Sequence, residues 1–557
     1  MKSRWLTLVL VLGALLSGCK TQVQVLPQVP SPTPTPTLPA EMGEPDWWED
    51  AVFYEILVRS FSDSDGDGIG DLNGLIDKLD YLNDGDPETD TDLGVTGIWL
   101  MPIFPSPSYH GYDVTDYYGV NPDYGTREDL QRLLVEAHQR GIRVIIDLVI
   151  NHTSDQHPWF LAASQDPGSK YREWYIWSED DPGYRGPDGQ QVWHAAGGSY
   201  YYGLFASSMP DLNYLNPEVT AAMDEIARFW LEDVGVDGFR LDAAKHLIEN
   251  GSLQEHSAAT HAWFKDFRPV YKGIKPDALV IGEVYETNSR LLRSYLEDEF
   301  DLVFQFALAE KFLASARSEL GLPAWAELVK TTKDFPTNQY ATFLTNHDQN
   351  RVMSQLGGDV NQAKTAASLL LTSPGTPFIY YGEEIGLQGQ KPDEDIRRPM
   401  QWSGEPQAGF SSGTPWRDPE PDYPVVNVYQ EDGDPTSLLN HYRALIHFRE
   451  DHPALSRGAF LTVTTVQAKL FACLRSLDDE NLIVVINTSG EPISSYQLAV
   501  NEAPLAVGDY QLNALFGPTF ETPLRVDQSG SFSLEPNLVI PPYTTWILAL
   551  SPIEERN

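Results

Sequence analysis

The chain has 557 residues, 41% of them hydrophobic and 11% aromatic, which is enough to bury more than one large core and excludes a disordered chain. Eighty acidic against 38 basic residues leave a formal net charge of −42, which repels phosphate backbones and anionic lipid and argues against nucleic acid as a partner. The two cysteines, Cys19 and Cys473, provide no disulfide framework within a mature chain.

At the N-terminus, Lys2 and Arg4 precede the apolar run Leu6 to Leu16, followed by Leu16-Ser17-Gly18-Cys19. A basic start, a short apolar run and small residues before a cut describe a secretory signal, too short for an ordinary membrane span. Leu-Ser-Gly-Cys resembles a bacterial lipobox, which implies cleavage after residue 18 and a lipid on Cys19. The expected product is exported and tethered to the cell envelope facing outward, with the membrane as a partner only through that anchor. Residues 19–45 contain Ser31-Pro32-Thr33-Pro34-Thr35-Pro36-Thr37, whose composition favours extended polyproline II and reads as a stalk.

From Trp47 onward, short apolar β-branched runs recur: 51–58, 95–101, 143–149, 236–242, 278–284, 302–306, 340–345 and 377–381. Helical patterns such as Arg127 to Arg140 and Pro217 to Glu232 lie between them, with stops at Gly141 and Gly235. Strands alternating with helices predict an α/β protein with a (β/α)₈ TIM barrel over residues 46–452. A doubly wound open sheet is the competing arrangement, but no G-x-G-x-x-G follows the first strand. The long gap after the third strand is rich in Trp, Tyr, Gly and Asp and predicts an inserted subdomain over about 151–213. Within it Trp174, Trp193 and Tyr200 to Tyr202 suit either a sugar platform or a core. Beyond His452 the pattern changes to alternating strands (470–475, 481–486, 544–550), so residues 453–557 read as a C-terminal antiparallel β-sandwich.

Four of these strands end in similar chemistry: Asp147-Leu148-Val149-Ile150-Asn151-His152, Arg240 with Asp242, Gly282-Glu283, and Asn346-His347-Asp348. Residues two apart on a strand share a face, so Arg240 and Asp242 are expected to form an ion pair at a strand's carboxyl end. One R-x-D alone is common at any strand-to-loop junction. Barrel strand ends converge, however, so Asp242, Glu283 and Asp348 are expected in one pocket. Glycoside hydrolysis accounts for such a cluster: one carboxylate attacks, a second is held protonated as an acid, and crowding of like charges keeps it so.

These four segments, in this order and spacing, resemble the conserved regions of the α-amylase family, glycoside hydrolase family 13. Met209-Pro210-Asp211-Leu212-Asn213 is similar to that family's fifth region, and Pro541-Pro542-Tyr543 to the end of its C-terminal domain. The resemblance implies Asp242 as nucleophile, Glu283 as general acid and then base, and Asp348 as stabiliser of the distorted sugar. It places Tyr112, His152, Arg240 and His347 in the same subsite and leaves Asp147 a structural part. Non-catalytic relatives lose these carboxylates, whereas this chain keeps all three.

Asp63-Ser64-Asp65-Gly66-Asp67-Gly68-Ile69-Gly70-Asp71 puts side-chain oxygens at alternate positions in a glycine-rich loop, which suits a hard cation such as Ca²⁺. Its similarity to the calcium loop of oligo-1,6-glucosidase-type members implies Asp63, Asp65, Asp67, the Ile69 carbonyl and Asp71 as ligands. A second calcium, shared between barrel and subdomain in many α-amylases, would use Asn151, Asp211 and the His246 carbonyl, its remaining ligand unassigned.

The expected substrate is an α-glucan. Ala243 after the nucleophile, with Lys245 and His246 on the leaving-group side, resembles members that cut α-1,4 bonds. Met-Pro-Asp-Leu-Asn points to a subgroup between oligo-1,6-glucosidases and neopullulanases. Arg397-Arg398-Pro399-Met400-Gln401-Trp402 instead resembles oligo-glucosidases and trehalose synthases and implies a substrate-binding place for Arg397. The expectation is an endo-acting, retaining, monomeric α-amylase, with α-glucosidase or cyclomaltodextrinase as the alternative.

Overall fold

The computed structural model describes residues 46–517, 521–535 and 538–553. The signal-like segment, Cys19 and the Pro/Thr-rich stretch lie outside the described residues.

Eight parallel strands close into a barrel: β1 (Phe53–Ile56), β2 (Gly97–Leu100), β3 (Arg143–Leu148), β7 (Gly238–Leu241), β8 (Leu279–Gly282), β9 (Leu302–Phe304), β10 (Tyr340–Phe343) and β11 (Thr376–Tyr380). Their order round the barrel is β1-β11-β10-β9-β8-β7-β3-β2. Almost every residue of these strands is buried, because the lumen packs one face and the helices cover the other. Alternation sorts the side chains: Phe53 joins the lumen cluster with Trp99, Ile281 and Phe378, while Tyr54 turns outward to the larger core under the helices. Phe53 stacks on Phe378 with centroids 4.4 Å apart, so the N-terminal half of the lumen is a plug of rings. On β7 the same alternation sends Phe239 and Leu241 outward and leaves Arg240 pointing inward. Gly238 has φ 153°, and a Cβ there would collide with the Leu279 carbonyl, so only glycine permits β7 and β8 to approach this closely.

The apolar runs read from the sequence are longer than the strands they contain, because each run continues into the loop that carries polar groups. The run 236–242 contracts to Gly238–Leu241, and Asp242 lies one residue past the strand. The helix expected over Pro217 to Glu232 is α-helical only for Pro217–Arg228 and then widens into a π-helical turn, Phe229–Val234. That turn buries the successive side chains Trp230 and Leu231, and the Trp230 indole donates to the Tyr117 carbonyl at 2.8 Å.

Between β3 and β7 the chain builds a small antiparallel sheet of β4 (Trp177–Ser178), β5 (Trp193–Ala196) and β6 (Ser199–Tyr202). Trp193 and Tyr202 form its own core with Val192 and Leu204, and Trp174 is buried as well. Beyond the barrel, β12 (Ala459–Thr462), β13 (Leu470–Leu477), β14 (Glu480–Asn487), β16 (Gly508–Phe516), β17 (Glu521–Val526) and β19 (Thr545–Pro552) form a six-stranded antiparallel sheet. β15 (Leu498–Val500) and β18 (Phe532–Leu534) pair as a second sheet, and one apolar cluster including Leu498, Leu512, Phe532 and Trp546 lies between the two. Among the described residues no helix is long and apolar enough to cross a membrane.

Candidate active site

The carboxyl ends of the barrel strands meet beneath a cavity of about 520 Å³. Asp242, Glu283 and Asp348 line it, together with Tyr112, His152, Lys245, His246 and Arg397. Arg240 and His347 are 1% and 0% exposed and lie one layer below, touching the carboxylates rather than the open space.

Arg240 is the hub of the site. Its Nη1 donates to Asp242 Oδ1 at 2.7 Å and to both Asp147 oxygens at 2.9 and 3.0 Å. Its Nη2 makes an ion pair with Glu283 Oε2 at 2.9 Å. One guanidinium therefore spans both carboxylates, which places them close together. Ala243, immediately after Asp242, takes a left-handed conformation with φ 51°, and its N–H donates to Glu283 Oε2 at 3.0 Å. The strand end thus orients the carboxylate of its neighbour.

Burial raises the pKa of both carboxyl groups. For Asp242, Arg240 opposes that rise and Asp348 adds to it. For Glu283, Arg240 again opposes, and Asp242 and Asp348 push the value higher. Asp348 goes the other way: its side chain is half-exposed to the cavity, and the desolvation it does feel is outweighed by His347 and Arg397, which hold it well below the ordinary carboxylate range. Arg397 Nη2 reaches Asp348 Oδ1 at 2.9 Å, and His347 Nε2 lies 3.2 Å from Oδ2. Three neighbouring carboxyl groups are thereby given unequal affinities for a proton. Burial lowers His152 to about 4, leaving a neutral imidazole whose Nε2 faces the Tyr112 carbonyl at 3.2 Å.

Three residues here carry no motif legible in the sequence: Glu255 and Phe205 in the cavity wall, and Glu55 buried beneath it. Lys245 Nζ is held by Glu255 at 2.6 Å, and Phe205, from the inserted subdomain, sets its ring edge-on to His152 and His246. Glu55, on β1, meets His347 Nδ1 at 2.5 Å. Its signal is visible in hindsight: Phe53-Tyr54-Glu55-Ile56 carries a single charge in an otherwise apolar strand.

Two groups of oxygen ligands lie outside the catalytic cluster. Carboxylate oxygens of Asp63, Asp65 and Asp71 lie within 4.8 Å of one another, a donor set that fits a hard cation. Gly66 and Gly68, at φ 86° and 97°, let the loop turn this tightly, and their N–H groups both donate to Asp63. The Asp67 carboxylate is not part of that group of oxygens and accepts the Ile69 N–H at 2.8 Å. Asn151 and Asp211 meet between barrel and insert, Asn151 Nδ2 donating to Asp211 Oδ2 at 3.1 Å. Glu249 lies beside Asp211, burial and that neighbour raising its pKa well above the ordinary value, and both Asn151 Oδ1 and Glu249 Oε1 are buried without a hydrogen-bond partner.

Residues 55–458 match the family described as "Alpha amylase, catalytic domain". The chain belongs to the α-amylase family. It is 43% identical over 447 residues to "Alpha-amylase 3" of Dictyoglomus thermophilum, covering 79% of this chain and 85% of that one. It is 35% identical over 506 residues to "Trehalose synthase/amylase TreS" of Mycobacterium tuberculosis, covering 80% and 82%. Among solved structures it resembles an α-amylase from H. orenii with a TM-score of 0.77 and 44% identity, covering 90% of this chain and 99% of that one. The protein is therefore a glycoside hydrolase of this family.

Proposed function

We propose that the protein hydrolyses α-1,4-glucosidic bonds within starch-like glucans and maltooligosaccharides with retention of configuration. The observation that carries this reading is the single Arg240 guanidinium paired to both Asp242 and Glu283, since closely spaced carboxyl groups belong to the double-displacement route. Asp242, kept ionised by Arg240, attacks the anomeric carbon as Glu283 gives its proton to the departing glycosidic oxygen. Glu283, now a base, then takes a proton from water as that water attacks the same carbon and releases Asp242. Asp348 binds hydroxyls of the distorted sugar, and its negative charge favours the oxocarbenium-like state. Tyr112, His152 and Arg397 complete this sugar's pocket, with Lys245 and His246 on the leaving-group side.

Relatives named α-amylase, at 43% and 44% identity, support the α-1,4 reading. The second reading, α-glucosidase or cyclomaltodextrinase action, draws on two oligo-1,6-glucosidase relatives at 33% and 31% and on Arg397, tied to Asp348 and Asp393 at one end of the cavity. A chromatographic product profile on starch, pullulan, cyclodextrin, isomaltose and maltose decides between them. Maltose and longer products from starch with isomaltose untouched support the first reading, while glucose released from isomaltose overturns it.

Asp63, Asp65 and Asp71 would hold Ca²⁺, which would fix the loop after β1. Asn151, Asp211 and the His246 carbonyl, joined by Glu249, would take a second cation between barrel and insert. Export with a lipid on Cys19 completes the proposal. Cys19→Ser is expected to release the protein from membranes, and continued membrane association would contradict the anchor.

A further inference from the structure

Glu55 is 2% exposed, and a carboxylate buried in a barrel costs several kcal/mol unless an opposite charge compensates it. It stands at the carboxyl end of β1 and, like Phe53 two residues earlier, faces the lumen. His347 is 0% exposed, and its two ring nitrogens face three acceptors. Nδ1 meets Glu55 Oε1 at 2.5 Å, while Nε2 lies 2.7 Å from Tyr112 Oη and 3.2 Å from Asp348 Oδ2. Burial pushes the Asp147 carboxyl up to about 7 against the pull of Arg240, so above that pH Tyr112, which has one hydroxyl proton, donates it to the Asp147 Oδ2 carboxylate oxygen at 3.0 Å. The tyrosine oxygen therefore presents lone pairs to His347. A neutral imidazole has one N–H and cannot satisfy acceptors on both sides.

We propose that Glu55 is a positioning residue that keeps His347 a doubly donating imidazolium, so that Asp348 is gripped by a cation on each oxygen and stays ionised beside the reacting pair. The second cation is Arg397, whose Nη2 holds Asp348 Oδ1 and whose Nε donates to the His347 carbonyl at 2.9 Å. The charged and titratable groups round His347 are Glu55 on β1, Tyr112 after β2, Asp147 on β3, Arg240 on β7, Asp242 after it, and Asp348 and Arg397 above. The Trp99 ring sits edge-on at 5.6 Å. Carboxylates outnumber the cations in this shell. Burial works against a charged imidazole here, yet Asp348 and Glu55 raise its pKa to about 10.

The role given to Asp348 rests on the proposed function, so the test reads the imidazole directly. With carbon-13-labelled histidine in the full chain, the His347 signal is assigned by its loss in His347→Gln and followed against pH. The expected result is an imidazolium that persists through about pH 9, and a midpoint at least about one unit lower in Glu55→Gln, which keeps an oxygen for Nδ1–H but removes the charge. Glu55→Asp restores the charge and is expected to bring the midpoint back toward the parent value. A parent His347 that titrates near the ordinary 6.5, or a Glu55→Gln midpoint equal to the parent's, overturns the proposal whatever the substrate proves to be. In activity, Glu55→Gln is expected to lose about tenfold more kcat/KM at a pH about one unit above its own His347 midpoint than at about pH 5, because only above that midpoint does its imidazole lose the proton. A loss equal at both pH values would mark Glu55 as structural only.

Discussion

Arg240 at the top of the barrel and the pair Arg449 and Arg475 at its base are all buried, yet their surroundings are opposite in kind. Arg240 is surrounded by Asp147, Asp242 and Glu283; burial would lower its pKa, but these carboxylates raise it well above the usual value. Arg449 donates to the carbonyls of Leu371, Ser373 and Gly375, and Arg475 to those of Thr372, Leu455 and Gly458. Carbonyl dipoles accept from their Nη groups without cancelling their charge, and each Nε is buried without a hydrogen-bond partner. Burial therefore depresses Arg449 to about 9, with Arg475 adding to the effect, and Arg475 itself to about 10. Three of those carbonyls belong to the last turn and cap of the helix Val360–Thr372, whose dipole favours a cation there. At the top, arginine biases the charge state of the carboxyl groups beneath the cavity; at the base, it fastens β13 of the C-terminal sheet to the barrel.

The largest expected effect lies among the partners of the upper arginine. Asp242→Asn keeps a side chain of the same shape and is expected to lower kcat by about 10⁴-fold or more with thermal stability nearly unchanged. A near-normal turnover number would remove Asp242 from the nucleophile's role. Arg240→Lys keeps the charge but cannot span both carboxylates, so a loss of about 10²-fold in kcat is expected, without the destabilisation expected at the base. The pH profile checks the same point. The proposed double displacement requires Asp242 ionised and Glu283 protonated, and both groups are shifted upward, so the acid limb should lie above 3.8 and the alkaline limb above 4.5. Removing the guanidinium's pull should move both limbs to still higher pH.

At the base the signs reverse. Arg475→Met leaves three buried carbonyls without these donors and is expected to cost several kcal/mol of stability, read as a fall in melting temperature. The turnover number of the folded fraction should match the parent's. A variant with lower kcat at unchanged stability would break the division between the two ends.

The two regions also differ in how much of them could be read from the sequence. Strand-end motifs with Arg240, Asp242, Glu283 and Asp348 stood out because polar groups ended apolar runs, and the barrel places all such ends together. Glu55 did not stand out, because its meaning depends on His347, 292 residues away, and only barrel closure brings the two into contact. The Ala243 amide was equally hidden, since its direction comes from a left-handed backbone angle that alanine does not announce. Asp67 fits the alternate spacing of the cation loop, while its carboxylate accepts the Ile69 N–H and lies apart from the group formed by Asp63, Asp65 and Asp71. Arg449 and Arg475 looked like ordinary charges because nothing in a sequence marks which carbonyls a folded chain will aim at them.

A buried carboxyl group, smaller in effect, differs from both arginine settings. Glu383, in the turn after β11, is 4% exposed, and its Oε1 accepts the Tyr442 hydroxyl at 2.8 Å. Burial pushes it up to about 8, with Glu384 adding to the rise against the Tyr442 hydrogen bond and Arg351. The folded protein therefore keeps a proton that the unfolded chain loses above 4.5. Its stabilising contribution is complete below 4.5 and is lost as the pH climbs towards about 8, because across that interval the folded state binds more protons than the unfolded one. Glu383→Gln removes the titration and keeps an acceptor for Tyr442. The variant should melt close to the parent at pH 5 and be the more stable of the two by about 1–2 kcal/mol at pH 8.5. An equal loss of stability at both pH values would show that Glu383 is ionised and compensated, which would place it with the carboxylates round Arg240.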